Sequence, residues 1–373
     1  MAVVVVAGAL ANKAHSGGEA WVRLSWVRGL QRLGHDVRFV EEVAAANASP
    51  QARAYFRAVV DRFELADVAT LLVDGEAVDG PGREPLLALA GSASLVNISG
   101  HLGPGALFDG FVRRIYVDID PGFTQFWHVA GDAGARVEGH DLHYTIGENI
   151  GTASCPIPTG GIEWRPVRQP VVLDDWPVTP TPDSRRFTTV ANWRGPFGPI
   201  EHDGKRYGLK VHEFRKFIEL PRRSPFAFEL ALNIHPDERP DLASLHENRW
   251  RLVDPVAAAG DPDRFRAYVQ GSAAEFSVAQ GVYVDTGSGW FSDRTVRYLA
   301  SGRPALVQDT GFGRFLPVGD GLVAFETLEQ AVDGAAAIMG DHESHRRAAR
   351  AVAEHHFDSD LVLSRFCHDA GIS

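Results

Sequence analysis

The stretch "VVVVAGALANKAHSGGEAWVRLSWVRGLQRLGHDVRFVEE", residues 3–42, is the strongest constraint on what this chain can become. Its opening β-branched run fits a strand covered on both faces. Trp21, Leu24, Val27, Leu30 and Leu33 then recur at helical spacing, and Gly34 is placed to close that helix. "HDVRFVEE" follows as a second strand. Strand, glycine loop, helix and strand make a βαβ unit, whose crossover implies a parallel sheet. "VATLLVDG", "SLVNISGHLG" and "RRIYVDIDPG" each read as a further buried strand running into a loop. In open α/β sheets ligands bind at such strand ends.

At 373 residues the chain is too long for one ordinary core and suits two domains. Seven prolines fall between residues 156 and 182, which disfavours helix there and predicts an extended connector. The α/β rhythm then resumes with "RRFTTVANW" as a strand, "LKVHEFRKFIEL" as a helix, and "PFAFELALNI" and "NRWRLVDP" as strands. "DPDRFRAYVQGS" reads as a helix before "AEFSVAQGVYVDT". The expected division is an N-terminal Rossmann-like domain over 1–165, a connector over 166–184 and a second Rossmann-like domain over 185–345. A helical tail over 346–373 is expected to pack back toward the first domain.

Hydrophobic residues make up 45% of the chain and charged residues 23%, values of an ordinary globular protein. A net charge of -11 argues against a partner with a phosphate backbone, so no nucleic acid is expected. Cys155 and Cys367 form no redox or metal motif and read as buried thiols of a reducing compartment. The apolar opening is too short to span a bilayer and lacks a basic start, so a soluble cytoplasmic protein is expected. Composition does not fix the oligomeric state.

"GSGWFSDRTVRYLASGRPALVQDTGFG", residues 287–313, reads as a loop, a helix, a tight stop and a strand. Ser292 suits an N-cap, and Asp293 suits the positive end of the helix dipole. Val296, Leu299 and Ala300 form the buried face; Gly302 and Pro304 end it. Free N–H groups and the helix dipole suit that first turn to an anion, Arg294 adds a planar donor, and Gly287 and Gly289 allow close backbone approach. The same residues also describe a plain capped helix with a solvated arginine and a packed Trp290.

That segment resembles the donor-binding part of GT-B glycosyltransferases, and is similar to a bacterial group whose C-terminal part is CgeB-like. "YVDIDPGFTQ", "GENIG", "PVVLDDW", "YGLKVHEF", "AYVQGSAAEFSVAQGVYV" and "GDGLVAFETLEQAV" extend the resemblance over about residues 110–335. The resemblance implies an α/β GT-B fold, two Rossmann-like doubly wound domains facing a central cleft. It implies transfer from a nucleotide-diphosphate sugar to a small-molecule or glycan acceptor, with no cofactor and no metal. Arg194 in "TTVANWRGPFG" and Lys210 in "YGLKVHEF" look like the family's diphosphate-gripping residues, joined by Ser288, Gly289, Trp290, Ser292, Asp293 and Arg294. Retaining families place two glutamates where this chain carries Gly289 and Arg297, which departs from their pattern.

An inverting transfer needs a general base. His15, Asp120 and Glu148 are the catalytic candidates; Gly17, Gly18, His101 and Asp118 are candidates for contacting the donor sugar or acceptor. "DID" at 118–120 invites a metal reading, but alternate strand residues face opposite ways. Trp127, Trp164, Trp193 and Trp290 are candidates for stacking on a sugar or base. Two other readings fit the same fold, a nucleotide-sugar epimerase and a non-catalytic nucleotide-sugar-binding protein. The Arg-, Ala- and Gly-rich composition points to a GC-rich bacterial genome and a natural-product or envelope pathway.

Overall fold

A computed structural model describes every residue except Asp183 and Pro196. The chain divides into two compact units. The first comprises Met1–Gly151, Pro158–Val172 and Asp358–Ser373; the second comprises Thr152–Ile157 and Leu173–Phe357.

The first unit is built on β1 (Val3–Ala7), β2 (Asp36–Val43), β3 (Ala69–Val73), β4 (Glu76–Asp79), β5 (Ser94–Ile98), β6 (Arg113–Asp118), β7 (Leu142–Thr145) and β8 (Trp164–Pro166). They form one sheet in the order β4-β3-β2-β1-β5-β6-β7-β8. Every pairing is parallel except β3 with β4, which the Asp74–Gly75 turn joins as a hairpin. Val4, Val5 and Val6 are wholly buried, as a strand covered on both faces requires. Strand order reverses between β1 and β5, so the crevice at their carboxyl ends is this unit's natural ligand position.

Two expectations change here. Residues 166–172, expected in the connector, belong to this unit, and Trp164–Pro166 adds an edge strand to β7. A proline that cannot donate is tolerated at such an edge. Of the tail, only Ser359–Ala370 lies in this unit; its neighbour His342–His356 belongs to the other. The terminal helix packs on Gly17–Arg32, with Trp26 edge-on to Phe366 at 5.0 Å. Gly29 permits that approach: a Cβ there would lie 2.5 Å from Leu363 Cδ1 and 3.0 Å from Ser359 Cβ.

The second unit is built on β9 (Arg186–Asn192), β10 (Ile200–His202), β11 (Lys205–Tyr207), β12 (Ala227–Asn233), β13 (Arg251–Val253), β14 (Ala274–Ser277), β15 (Ala305–Gln308) and β16 (Leu322–Phe325). Its main sheet runs β13-β12-β9-β14-β15-β16, parallel throughout, with β10 and β11 as a separate hairpin. Order reverses between β9 and β14. Aromatic packing fills the core, with Phe276 stacked on Phe325 at 5.4 Å and Phe187 on Phe228 at 5.0 Å.

The predicted helix over "LKVHEFRKFIEL" is shorter, Lys210–Arg215, followed by a separate turn at Leu220–Arg223. "AEFSVAQGVYVDT" divides into β14 and a helix, Gly281–Thr286. Residues 176–181 are held by arginines of the same unit. Arg346 donates to Thr179 O at 2.5 Å and to Thr181 Oγ1 at 2.6 Å; Arg350 donates to Trp176 O at 3.0 Å.

Gly29→Val forces the terminal helix away from Gly17–Arg32. We expect about 2 kcal/mol of destabilisation, within the usual cost of overpacking, read as a lowered unfolding midpoint in denaturant.

Candidate functional site

In the second unit, chemistry collects at the β9/β14 switch. Glu275 and Ser277 are two residues apart on β14 and so share a face. Arg294, in the first turn of Asp293–Ala300, donates Nε to Glu275 Oε1 at 2.6 Å, one terminal nitrogen to Ser277 Oγ at 2.7 Å, and the other to Val190 O of β9 at 2.8 Å. Side-chain exposure is 12% for Arg294 and 0% for Glu275, so the pair is interior. Burial pushes the Glu275 carboxyl up, while Arg294 opposes that shift. All three of its nitrogens brace the two switch strands, so Arg294 is not the solvated arginine of a plain capped helix.

Lys210 opens its helix with its backbone N–H on Gln280 Oε1 at 2.6 Å. Its side chain is partly buried, and among the described residues its ammonium has no hydrogen-bond or ion-pair partner. Burial first, and then the neighbouring charge of Arg294, pull its pKa down to about 7 against the opposing carboxylates Glu275 and Asp293. Ser292 sits at the N-cap with extended backbone, yet its side chain makes no capping bond. The first-turn N–H groups are therefore left without that cap. The loop before them is rigid. Gly289, at φ +75°, donates to Thr310 O at 2.7 Å; Trp290 N–H donates to the buried Ser288 Oγ at 3.2 Å, and the Trp290 ring stacks on Tyr283 at 4.5 Å. Asp293 is half-buried and pairs with the fully buried Arg297 at 3.7 Å.

Arg194 stands elsewhere in its hydrogen bonding. It pairs with Glu238 through Nε and, at 3.1 Å, through a terminal nitrogen, on an exposed loop. Trp193 beside it is buried and donates to Asp241 Oδ2 at 2.8 Å. Trp127 lies within a helix and Trp164 within β8, so of the four tryptophans singled out Trp290 best keeps a loop setting.

In the first unit the β1/β5 switch carries a second cluster. Glu19 and Arg23 pair one turn apart on Gly17–Arg32, and Arg23 is buried against Gly8, where a Cβ would lie 2.9 Å from Arg23 Cγ. His101, just past β5, is half-buried. Burial takes its pKa down to about 3, with Arg23, Arg136 and Lys13 adding to the effect, so the ring is neutral at pH 7. Asp120 is raised to about 7 by burial and by repulsion from Asp118 and Glu19. Glu19 and Arg23 escaped the sequence reading. Their signal, an i,i+4 acid–base pair, is also that of any solvated helix face.

Several of the expected residues already have partners within the chain. Asp118 is wholly buried and accepts from Thr124 Oγ1 at 2.8 Å, Gln125 Nε2 at 2.8 Å, Thr145 Oγ1 at 2.7 Å and Asp120 N at 3.0 Å. Its lone pairs are spent fixing the loop, which leaves none for a substrate. Glu148 forms a two-pronged pair with Arg168 at 2.9 and 3.1 Å. His15 is exposed at φ +63° with its ring 6.0 Å from Tyr55. Gly17 and Gly18 begin the helix, but the loop before them is already filled: the N–H groups of Leu10, Ala11 and Asn12 all donate to the Glu41 carboxylate, at 2.8, 2.6 and 2.8 Å.

A cavity of about 560 Å³ opens at the carboxyl ends of β2, β3 and β5, with Leu102 and Phe108 among its apolar walls and His101 on its lining. Its volume lies within the range of small-molecule sites. Asn97 shapes it by holding Leu102 through both backbone groups, at 2.9 and 3.0 Å.

No family model and no curated protein matches the chain. Solved structures do. HepE of Anabaena in complex with UDP-glucose aligns over 100% of both chains, with TM-score 0.62 and 9% identity. An alpha-glucosyltransferase in complex with UDP aligns over 100% of both chains, with TM-score 0.59 and 9% identity. The sucrose-phosphate synthase of Thermosynechococcus elongatus aligns over 99% of both, with TM-score 0.57 and 10% identity. The chain has a GT-B fold. Each Rossmann-like unit of that fold presents a switch point, and each switch point here carries a charged cluster. Among the described residues no helix is long and apolar enough to cross a membrane.

Arg294→Met strands Glu275 in the interior without its counter-charge. Breaking a buried pair from one side costs about 3–5 kcal/mol; we expect a loss of that order in denaturant unfolding, partly restored by adding Glu275→Gln.

Proposed function

We propose that the protein is a nucleotide-sugar-dependent glycosyltransferase acting on a small-molecule acceptor, independent of a bound metal. The observation that carries this reading is the Lys210 ammonium, free of protein partners among the described residues, in the same charge cluster as the first turn of Asp293–Ala300. A cation held without its own counter-ion is matched to an anion of at least one charge. Uncapped N–H groups at a helix start supply the directional donors a diphosphate accepts. Solved relatives of this fold carry UDP and UDP-glucose, which makes UDP-glucose the first donor to test.

The reaction follows from charge. The C1–oxygen bond of the donor breaks, its electron pair stays on the departing diphosphate, and the acceptor oxygen forms the new bond to C1. Lys210 and the helix N–H groups stabilise the charge that grows on the diphosphate. Arg294 positions that turn by tying it to β9 and β14. Asp120 takes the acceptor proton; its pKa of about 7 suits a base working near neutrality. Neutral His101 orients the acceptor hydroxyl. Direct displacement with a base gives inversion at C1. The net charge of -11 and the small cavity favour a small acceptor, although one alpha-glucosyltransferase of this fold was solved with UDP and DNA.

The test is turnover of UDP-glucose, and of other nucleotide sugars in parallel, in the presence of EDTA. Lys210→Met is expected to lower kcat/KM by about 10²–10³, the usual cost of removing a transition-state donor, without lowering the unfolding midpoint. The pH profile of kcat/KM is a second check. Asp120 must lose its proton, so the rate rises with pH through about 7; Lys210 must keep its own, so the rate falls again above about 7. The expected bell is narrow. Asp120→Asn abolishes most activity, and Lys210→Met removes the alkaline limb. Donor binding without turnover on any acceptor, or isomerisation of the sugar, would replace this reading with another.

A further inference from the structure

The first unit's cavity has a chemistry of its own. Its lining includes three carboxylates, Glu42, Asp74 and Glu138, against one guanidinium, Arg136. His101 and His140 are both held neutral, with pKa values of about 3 and about 4, so they do not offset the negative sign. The carboxylates are not evenly spread. Glu42 lies next to the end of β2 and Asp74 follows β3, and the Asp74 charge acts on Glu42. Glu42 is half-buried and, among the described residues, has no hydrogen bond and no ion pair; the nearest opposing charge is Arg83. Desolvation raises its pKa, as does repulsion from Asp74. Arg83 lowers the Glu42 pKa and Asp74 accepts from Ala45 N–H at 3.2 Å, yet the lining as a whole keeps three carboxylates against one guanidinium, and that excess is complementary to a cation.

The cavity then runs from β2 past β1 to β5. That is two strand spacings, or about 10 Å at roughly 4.8 Å each. Leu102 and Phe108 supply apolar surface, and His101 stands at the β5 end, where Glu19 and Arg23 link it electrostatically to Asp120. The site thus has an anionic end, an apolar middle and a hydroxyl-handling end.

We infer that this cavity selects an acceptor bearing a protonated amine roughly 8–10 Å from its reacting hydroxyl, with a flat or apolar body between, the amine lying on Glu42 and Asp74. This rests on the glycosyl-transfer reading for the identity of the reacting group, though not for the binding itself. Arg136, beside His101, lies at the other end and disfavours a second cation there.

The experiment uses the full chain and three phenols of one size: tyramine, 4-ethylphenol and 3-(4-hydroxyphenyl)propionate. Binding is measured by calorimetry or ligand-observed NMR without donor, and transfer is measured separately with UDP-glucose. Tyramine is expected to bind at least tenfold more tightly than the other two. Glu42→Gln with Asp74→Asn is expected to erase most of that preference, while leaving 4-ethylphenol binding and the unfolding midpoint unchanged. Raising the salt should weaken tyramine alone. Equal binding of all three phenols, a preference for the carboxylate, or an unchanged tyramine affinity in the double variant would overturn the inference. Tyramine binding without transfer would leave this inference standing and count against the transferase reading. Transfer to acceptors regardless of amine would do the reverse.

Discussion

The buried pair between Arg294 and Glu275 is the interaction on which the second unit's chemistry depends. Three of its consequences are separate. It ties the first turn of a helix to β14 through Glu275 and Ser277 and to β9 through the Val190 carbonyl. It fixes that turn at the point where strand order reverses. It also places a permanent positive charge near Lys210, which lowers the amine's proton affinity and keeps it responsive near neutral pH. A guanidinium suits this task because its planar fork can satisfy several acceptors at once and stays charged when desolvated. The same fork on a solvated surface would have added little.

The first unit solves a different problem with similar means. Asp118 is spent entirely on structure, and its charge adds to the burial of Asp120 in lifting that carboxyl toward neutrality. A base with an elevated pKa is obtained by burying two aspartates together, one fully hydrogen-bonded and the other left to feel its repulsion. Arg23 and Glu19 add opposing charge from the neighbouring helix, so Asp120 sits in a field assembled by three elements. None of this requires a loop to move.

Much of the architecture was legible in the sequence. The β-branched run at 3–7, the helical spacing from Trp21 to Leu33 and the stop at Gly302–Pro304 are local signals, and local signals set element type. The loop–helix–strand reading of 287–313 holds in place and order. What stayed hidden was partnership. Nothing in the sequence says that Arg294 meets Glu275, nineteen positions away, or that Arg194 meets Glu238 rather than solvent. The assignment of residues 166–172 to the first unit was equally hidden, because proline content argues against helix but does not exclude a three-residue edge strand. Asp118 and Asp120 looked equivalent as letters. Only tertiary donors separate the structural acid from the titrating one.

One further feature sets the two sheets apart. Both begin with the strand, loop and helix start that Rossmann-like domains offer to phosphates. In the first unit Glu41 reaches back from β2 and lays its own carboxylate across three consecutive amides of that loop. The protein thereby carries an internal surrogate for the anion, and a nucleotide arriving at this sheet finds the seat taken. A single side chain thus satisfies three neighbouring amides that would otherwise be open to an outside acceptor.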